Sequence, residues 1–391
     1  MEEKPLSILF LAGDPSGDEH AAAIIRRLRT VLPEARTFGI GGPCMREQGF
    51  EQLMPFEPFN RMGFAEVLLH LPFFLRAKSY LVKQLRERKP AALVCVDFPG
   101  FNIPLMKTAK RMAIPVVWYI VPQVWAWKKK RAAVLGANAS FIAVVFPFEE
   151  AYFKPFAAPV SFVGHPLVEL LGGSSDAGAK IAVDRNGPIG LALVPGSRRQ
   201  EIVRMLPPMI DAAVILRQAY PKLTVRVSKC RGLPDGLFDA QAKRFAQRYP
   251  GCIEVSDEPL FSLVHKCDCA IVTSGTATLQ TALCGVPLVI AYRTSAATFS
   301  LMKSMIRLPF IGLPNIVAGE RIVPECIQND ASGRRLAEEI SLFLESKDLY
   351  ESTAQKLSGL RQKLGGRRPS VEVAAAIRDI VMRGDQGRHT P

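Results

Sequence analysis

Short apolar runs that are continuous, not alternating, recur along the first half of the chain, with stretches of helical spacing between them. The runs are "SILFLA" (7–12), "RTFGI" (36–40), "ALVCVD" (92–97), "VVWYI" (116–120), "FIAVVF" (141–146) and "VSFVG" (160–164). A strand with one wet face alternates apolar and polar residues. A continuous run fits a strand covered on both faces, as in a parallel sheet. Segments such as "DEHAAAIIRRLRTVL" and "IPLMKTAKRMA" lie between the runs and supply the crossover helices that parallel strands need. The alternation therefore predicts an α/β fold built from βαβ units.

The pattern breaks at the Gly- and Ser-rich stretch "GGSSDAGAK" (172–180) and then restarts. Strands are predicted at "IGLALV" (189–194), "TVRVS" (224–228), "CAIVTS" (269–274) and "PLVIAY" (287–292), with helices at 200–219, 237–249 and 276–284. From about 332 the chain reads as helical, with a break at "GGRRP" (365–369). A length of 391 residues is long for one core and comfortable for two. The expected organisation is a first Rossmann-like domain over 1–170, a second over 186–345, and a helical tail over 346–391 that can pack back on the first. Ligands of such a pair bind at the carboxyl ends of the strands, in an interdomain cleft.

Composition narrows the partners. Fifty Lys and Arg against 36 Asp and Glu give a net charge of +14, which favours nucleic acid, an anionic membrane or phosphate-bearing substrates. The eight cysteines are scattered without a C-x-x-C pair, and are expected to be reduced thiols. Cys267 and Cys269 with His265 are the one grouping that resembles a metal site, and their spacing is too tight for zinc, so neither metal nor cofactor is expected. The opening "MEEKPLSILFLAGD" is acidic and runs directly into a strand, unlike a signal peptide. No apolar run reaches the ~18 residues of a membrane span. A soluble or peripheral cytoplasmic protein is the expectation.

Three loops at strand ends can carry chemistry. In "AGDPSGDEHAA", Gly13 and Gly17 permit a tight turn, and Ser16 or Asp18 can cap the next helix. Such a helix start can hold an anion or a sugar hydroxyl. It is neither a Walker loop nor a dinucleotide G-x-G-x-x-G. In "LVPGSRRQEI", Ser197 and Gln200 have capping-box spacing, and Arg198 and Arg199 stand at the positive end of a helix, where guanidinium forks match a pyrophosphate. In "TSGTATLQTALCGVP", Ser274, Gly275 and Thr276 open a helix after a buried strand, and Gln280 lies one turn further in, on the side where a ribose can be held. "LPNIVAGE" then places Asn315 and Glu320 near the same strand ends. The chain's three tryptophans, Trp118, Trp125 and Trp127, all fall in "WYIVPQVWAWKKKR", which ends in Lys128, Lys129, Lys130 and Arg131.

Taken in order, "AGDPSGD" (12–18), "MGFAEVL" (62–68), "DFPGFN" (97–102), "PQVWAW" (122–127), "PFE" (147–149), "GHP" (164–166), "PGSRRQEI" (195–202), "SGTAT" (274–278) and "LPNIVAGE" (313–320) resemble the lipid A disaccharide synthase family almost end to end. That family is one of inverting glycosyltransferases with the GT-B architecture. The resemblance implies transfer of a diacylglucosamine from its UDP-activated form to a diacylglucosamine 1-phosphate, with UDP leaving. It implies a donor site at Arg198, Ser274, Gly275, Thr276, Gln280, Asn315 and Glu320, and an acceptor site at Asp14, Ser16, Gly17, Asp18 and Glu66. No nucleic acid is implied. Because both substrates are acylated, the resemblance also implies contact with the anionic inner face of the inner membrane. Phe73, Phe74, Trp125, Trp127, Lys128, Lys129, Lys130 and Arg131 are the expected membrane-facing residues.

The chain departs from the family pattern in places. The family has two acids in the fourth-strand loop, as D-x-P-D-F-N. Here Asp97 is kept and Gly100 stands where the second acid, the favoured general base, belongs. Asp14 replaces a glutamate, and Gln280 replaces an acid. Asp97 then becomes the first candidate base. Two other readings stay open: a UDP-sugar enzyme with a different acceptor, and a catalytically lapsed nucleotide- or lipid-binding homologue.

Overall fold

The computed structural model describes residues 6–60, 71–125, 130–172, 187–230, 233–295, 299 and 309–386. Contacts divide the chain into two compact units, Met1–Leu170 with Leu364–Pro391, and Leu171–Lys363.

The first unit is a parallel sheet of seven strands: β1 (Ser7–Ala12), β2 (Arg36–Gly41), β3 (Glu51–Pro55), β4 (Ala92–Val96), β5 (Val116–Tyr119), β6 (Phe141–Val144) and β7 (Val160–Phe162). Their order is β3-β2-β1-β4-β5-β6-β7. The apolar runs behave as expected, with β4 buried at every position and β1 at all but its first. The core gathers Leu9, Leu11, Leu93, Cys95, Trp118 and Ile142 beneath the helices Leu71–Arg88 and Pro99–Arg111. The order reverses between β1 and β4, the place in such a sheet where ligands bind at the carboxyl ends of the strands.

Residues 346–391 fall in two places. The Lys347–Leu364 helix packs with the second unit, where Tyr350 donates to the Asp268 carbonyl at 2.8 Å. The Pro369–Gln386 helix lies on the Pro15–Val31 helix of the first unit. Arg367 donates to the Phe162 carbonyl at 2.7 Å, and Ser370 bonds the Glu169 carboxylate through both its hydroxyl and its N–H.

The second unit is a parallel sheet of six strands: β8 (Ile189–Val194), β9 (Leu223–Ser228), β10 (Ile253–Ser256), β11 (Cys269–Thr273), β12 (Leu288–Tyr292) and β13 (Glu325–Ile327), in the order β10-β9-β8-β11-β12-β13. It repeats the first design, with its reversal between β8 and β11. Its core joins Leu191, Leu193, Ile271 and Val289 to Met205 and Met209 of the long Arg199–Ala219 helix.

Three strands, β3, β10 and β13, escape the apolar-run pattern. Each is outermost in its sheet, half exposed and only three to five residues long. The cysteines are all free thiols, five of them buried. Among the described residues no group of three or more His, Cys, Asp or Glu is placed to hold a metal, and no helix is long and apolar enough to cross a membrane.

Candidate active site

In the first unit the two strands at the reversal end in loops that touch. β1 leads into Gly13 and Asp14, and Asp14 is the N-cap of the Pro15–Val31 helix, its Oδ1 accepting from the Gly17 N–H at 2.6 Å. The cap is therefore neither Ser16 nor Asp18. Ser16 is exposed, with its hydroxyl 3.1 Å from His20 Nε2. Asp18 is 2% exposed and accepts from the N–H groups of Gly42 (2.7 Å), Cys44 (3.0 Å) and Met45 (3.2 Å). Its oxygens anchor the turn after β2 and are spent there, which removes it from the acceptor site. Asp14 and Ser16 stay accessible. Glu66 lies outside the described residues.

β4 ends at Val96, and the next two residues, Asp97 and Phe98, take φ values of 45° and 51°. Side chains other than glycine rarely adopt this region, and strain of about 1–3 kcal/mol per residue persists only where neighbours enforce it. Here the Asp97 N–H donates to the Tyr119 carbonyl (2.9 Å), and the Asp97 carbonyl accepts from Asn102 Nδ2 (2.8 Å). Asn102 is fully buried and also reaches toward the Leu11 carbonyl at 3.4 Å, bridging the ends of β1 and β4. The Phe98 ring covers Gly13 so closely that a Cβ there would stand 2.5 Å from it. Part of Asp97 reaches solvent. Even so, burial and the nearby charge of Asp14 push its carboxyl up to about 7, while a backbone hydrogen bond at Phe98 and the Arg131 guanidinium act the other way. Gly100 is exposed in the first turn of the Pro99–Arg111 helix, and among the described residues nothing beyond its own helix lies within 4 Å of where a Cβ would be.

The aromatic and basic residues expected at a membrane are largely committed elsewhere. Trp125 is 6% exposed, packed edge-on against Phe146 and Phe148, and its indole N–H donates to Glu149 at 3.0 Å. Phe73 and Phe74 are half buried and pack on Phe59 with centroids 5.0 and 5.8 Å apart. Arg131 is half buried, and its charge favours the Asp97 carboxylate. Lys130 is exposed. Trp127, Lys128 and Lys129 lie outside the described residues. The exposed aliphatic residues of the Leu71–Arg88 helix are instead Leu71 and Leu75, 48% and 56% exposed, with Tyr80 also exposed further along. A helix that must bury one stripe in its own core turns Phe73 and Phe74 inward and leaves the next positions out.

Two features of this edge escaped the sequence. Glu149, in "PFE", is 1% exposed and accepts three N–H groups, from Trp125, Val145 and Phe146. Burial pushes it up to about 7. His165, in "GHP", is pushed down to about 3 by burial and by nearby His20, and His20 itself is pushed down to about 4 by burial, so both rings are neutral at pH 7.

In the second unit, β8 runs into Gly196, Ser197 and Arg198 ahead of the Arg199–Ala219 helix. The acid that closes this loop is Glu201, whereas the spacing pointed to Gln200. One Glu201 oxygen accepts from the N–H groups of Ser197 (3.0 Å) and Arg198 (3.2 Å), and the other pairs with the Arg198 guanidinium (3.1 Å). Gly196 has φ +114°, and a Cβ there would stand 2.5 Å from the Glu201 carboxylate, so only glycine lets this closure form. The Arg198 side chain is 82% exposed and available to a ligand. On the neighbouring strand β11, Gly275 precedes the Thr276–Leu283 helix, and no side chain caps its first turn. Gly275 and Thr276 are exposed, while the Ser274 hydroxyl donates to the Ile311 carbonyl at 3.1 Å. Gln280 is half buried one turn in.

Asn315 departs from expectation. It is fully buried, its amide donating to the Val323 carbonyl and Glu325 (both 2.9 Å) and its oxygen accepting from the N–H groups of Ile322 (2.9 Å) and Val323 (3.0 Å). With donors and acceptor occupied, it shapes the loop and offers nothing to a nucleotide. Glu320 is exposed, 3.4 Å from Lys356.

The two sheets share a strand order, and each ends at its reversal in a polar helix start. The sequence pattern of the lipid-A-disaccharide synthetase family matches residues 8–380. The chain belongs to the lipid-A-disaccharide synthetase family. It is 38% identical over 377 residues to the lipid-A-disaccharide synthase of Geobacter sulfurreducens, covering 96% of this chain and 97% of that one. It is 34% identical over 381 residues to that of Nitrosococcus oceani, covering 96% and 97%. Membership in this family carries the activity class, glycosyl transfer in lipid A biosynthesis. Among solved structures, MurG of Acinetobacter baumannii superposes with a TM-score of 0.58 at 13% identity over 97% of this chain and 99% of that one. A putative UDP-N-acetylglucosamine 2-epimerase from Listeria monocytogenes superposes with 0.64 at 12% identity over 97% of both. These likenesses place the fold as GT-B. They do not choose between transferase and epimerase, since one fold hosts many reactions; the family does.

Proposed function

We propose that the chain condenses UDP-2,3-diacylglucosamine with 2,3-diacylglucosamine 1-phosphate to give the β-1,6-linked disaccharide 1-phosphate and UDP, with Asp97 receiving the proton of the attacking hydroxyl. The observation that carries the reading is the Asp97 carboxyl itself, held at the reversal point of the first sheet and up to about 7 by burial and Asp14. A base is most useful when its pKa lies near the working pH. Asp14 and Ser16 are the accessible groups of the facing loop and would bind the acceptor sugar. In the second unit, Arg198 and the uncapped start of the Thr276–Leu283 helix are suited to the diphosphate, and Gln280 to the ribose. As the anomeric bond breaks, negative charge grows on the UDP oxygens, and a guanidinium and a helix dipole stabilise it. The acceptor hydroxyl attacks from the opposite face, so configuration inverts.

The acyl chains of both substrates support work at the inner face of the inner membrane. Exposed Leu71 and Leu75 with exposed Arg76 suit shallow insertion beside anionic headgroups. Turnover with both lipid substrates tests the reading. UDP and disaccharide formed in equal amounts support it, and UDP released without disaccharide sinks it.

A further inference from the structure

Glu325 opens the outermost strand β13 and has no part in the transfer chemistry above, yet hydrogen bonds converge on it. Its Oε1 accepts from the N–H groups of Ile311 (3.2 Å) and Gly312 (2.9 Å) and from Asn315 Nδ2 (2.9 Å), and its Oε2 accepts from the Ile311 N–H at 3.0 Å. One carboxylate thus gathers three donors of a single loop, and bonds to a charged acceptor are about twice as strong as neutral ones. The loop so held makes a contact of its own. The Ile311 carbonyl accepts from the Ser274 hydroxyl at 3.1 Å. The Ser274 N–H donates in turn to the Ala291 carbonyl of β12 at 3.0 Å. Ser274 immediately precedes Gly275 and the Thr276–Leu283 helix. Both of its donors are therefore engaged, one by a strand and one by the loop that Glu325 grips.

We infer that Glu325 is a positioning residue for the donor: by gripping the loop from Ile311 to Asn315 it presents the Ile311 carbonyl to Ser274, and so sets where the start of the Thr276–Leu283 helix meets the diphosphate. This rests on the reading of that helix start as the diphosphate site. Backbone N–H groups at a helix start hold an anion through directional bonds, so a small displacement of the start weakens them together. Charge alone argues the opposite way. Removing a carboxylate from the unit that binds an anion would by itself tighten UDP binding. Weaker binding after its removal therefore reports lost geometry. A clamp with only a structural role would lower the urea midpoint and leave the UDP affinity in place.

Isothermal titration calorimetry with UDP reads the site without acceptor or turnover. E325Q keeps the shape of the side chain and turns one acceptor oxygen into a donor that faces the loop's own donors. S274A leaves Glu325 and its three donors in place and removes the last link. The expected result is UDP binding weaker by about 10-fold in E325Q and by about 5-fold in S274A, with the double variant no weaker than E325Q alone. In steady-state assays of E325Q, KM for the donor should rise by about 10-fold and KM for the acceptor should stay as in wild type. Should E325Q not fold, E325D takes its place, since it keeps the charge and draws the oxygens back from the loop. Wild-type UDP affinity in the folded Glu325 variant or in S274A overturns the inference, as does a double variant weakened by the product of the two single effects. A wild type that does not bind UDP overturns the reading of the donor site, and the inference falls with it; a wild type that binds UDP beside a Glu325 variant that binds it equally well overturns the inference alone.

Discussion

A carboxyl is a stronger base at neutral pH when its surroundings resist the charge it must carry. Asp97 meets this condition, held up to about 7 chiefly by burial. Below that pH it is protonated, so kcat should fall as pH drops through about 7 and level off above it. D97N should lower kcat by about 10²-fold with KM preserved, which steady-state assays across pH 5–9 would check. Asp97 and Glu149 are both raised from the ordinary carboxylate range, so the folded state binds more protons than the unfolded chain between about 4 and about 7. Their contribution to stability is complete below that window and is lost as pH rises through it. The melting temperature should therefore fall from pH 5 to pH 8, and less steeply in D97N; equal slopes by calorimetry would contradict this. Gly100→Asp finds open space at an exposed helix start, where an acid is favoured, so it should fold unchanged and keep or raise the rate. At this scale the sequence was legible where a residue's type dictates its place, as with Asp97 after a buried strand. It misled where one side chain had several possible partners. Trp125 beside four cations suggests a membrane, but the partner that claims its N–H, Glu149, is 24 residues away. Asn315 reads as a ligand contact until the four bonds that consume its amide are known.

At the scale of elements, the two helix starts of the second unit and the loop after them do different work, and their variants should separate. Arg198 is exposed and, among the described residues, bonds within its own turn, so R198A should leave the urea midpoint where it is and lower kcat/KM by about 10²–10³-fold. Asn315→Ala strands buried N–H and carbonyl groups and should cost about 2–3 kcal/mol of stability, seen as a lower urea midpoint. A loss of activity in R198A that tracks unfolding, or an unshifted midpoint in N315A, would reverse the two assignments. The central strands were legible because burial on both faces leaves an uninterrupted apolar run. The edge strands β3, β10 and β13 were not, because a strand with one neighbour and a wet face can be short and polar, as "EQLMP", "IEVS" and "ECI" are. The helix caps were missed by a residue or a few, because several polar residues in one loop can each reach the free N–H groups, and φ at Gly196 or packing at Asp18 selects among them.

For the whole molecule, charge and apolar exposure together predict where it works. Under the proposed function, a net charge of +14 would favour anionic headgroups, and Leu71 and Leu75 would supply the apolar contact. L71S/L75S should weaken binding to anionic vesicles roughly 10-fold, and high salt should weaken the wild type further by screening the charge. A folded variant that sediments with vesicles as wild type does would remove this helix from the interface. The fold was the most legible level of all, since the repeated βαβ pattern implies two parallel sheets before any contact is known. The reaction was not legible from the fold, because transferases and epimerases share it. The central claim is that this chain transfers a sugar using Asp97 in place of the acid that Gly100 lacks. The most direct test is a product assay with purified UDP-2,3-diacylglucosamine and 2,3-diacylglucosamine 1-phosphate, on wild type and D97N side by side. The prediction is equimolar UDP and disaccharide 1-phosphate from the wild type, and a rate about 10²-fold lower from a folded D97N. Wild-type turnover by D97N, or no disaccharide from the wild type, would contradict it.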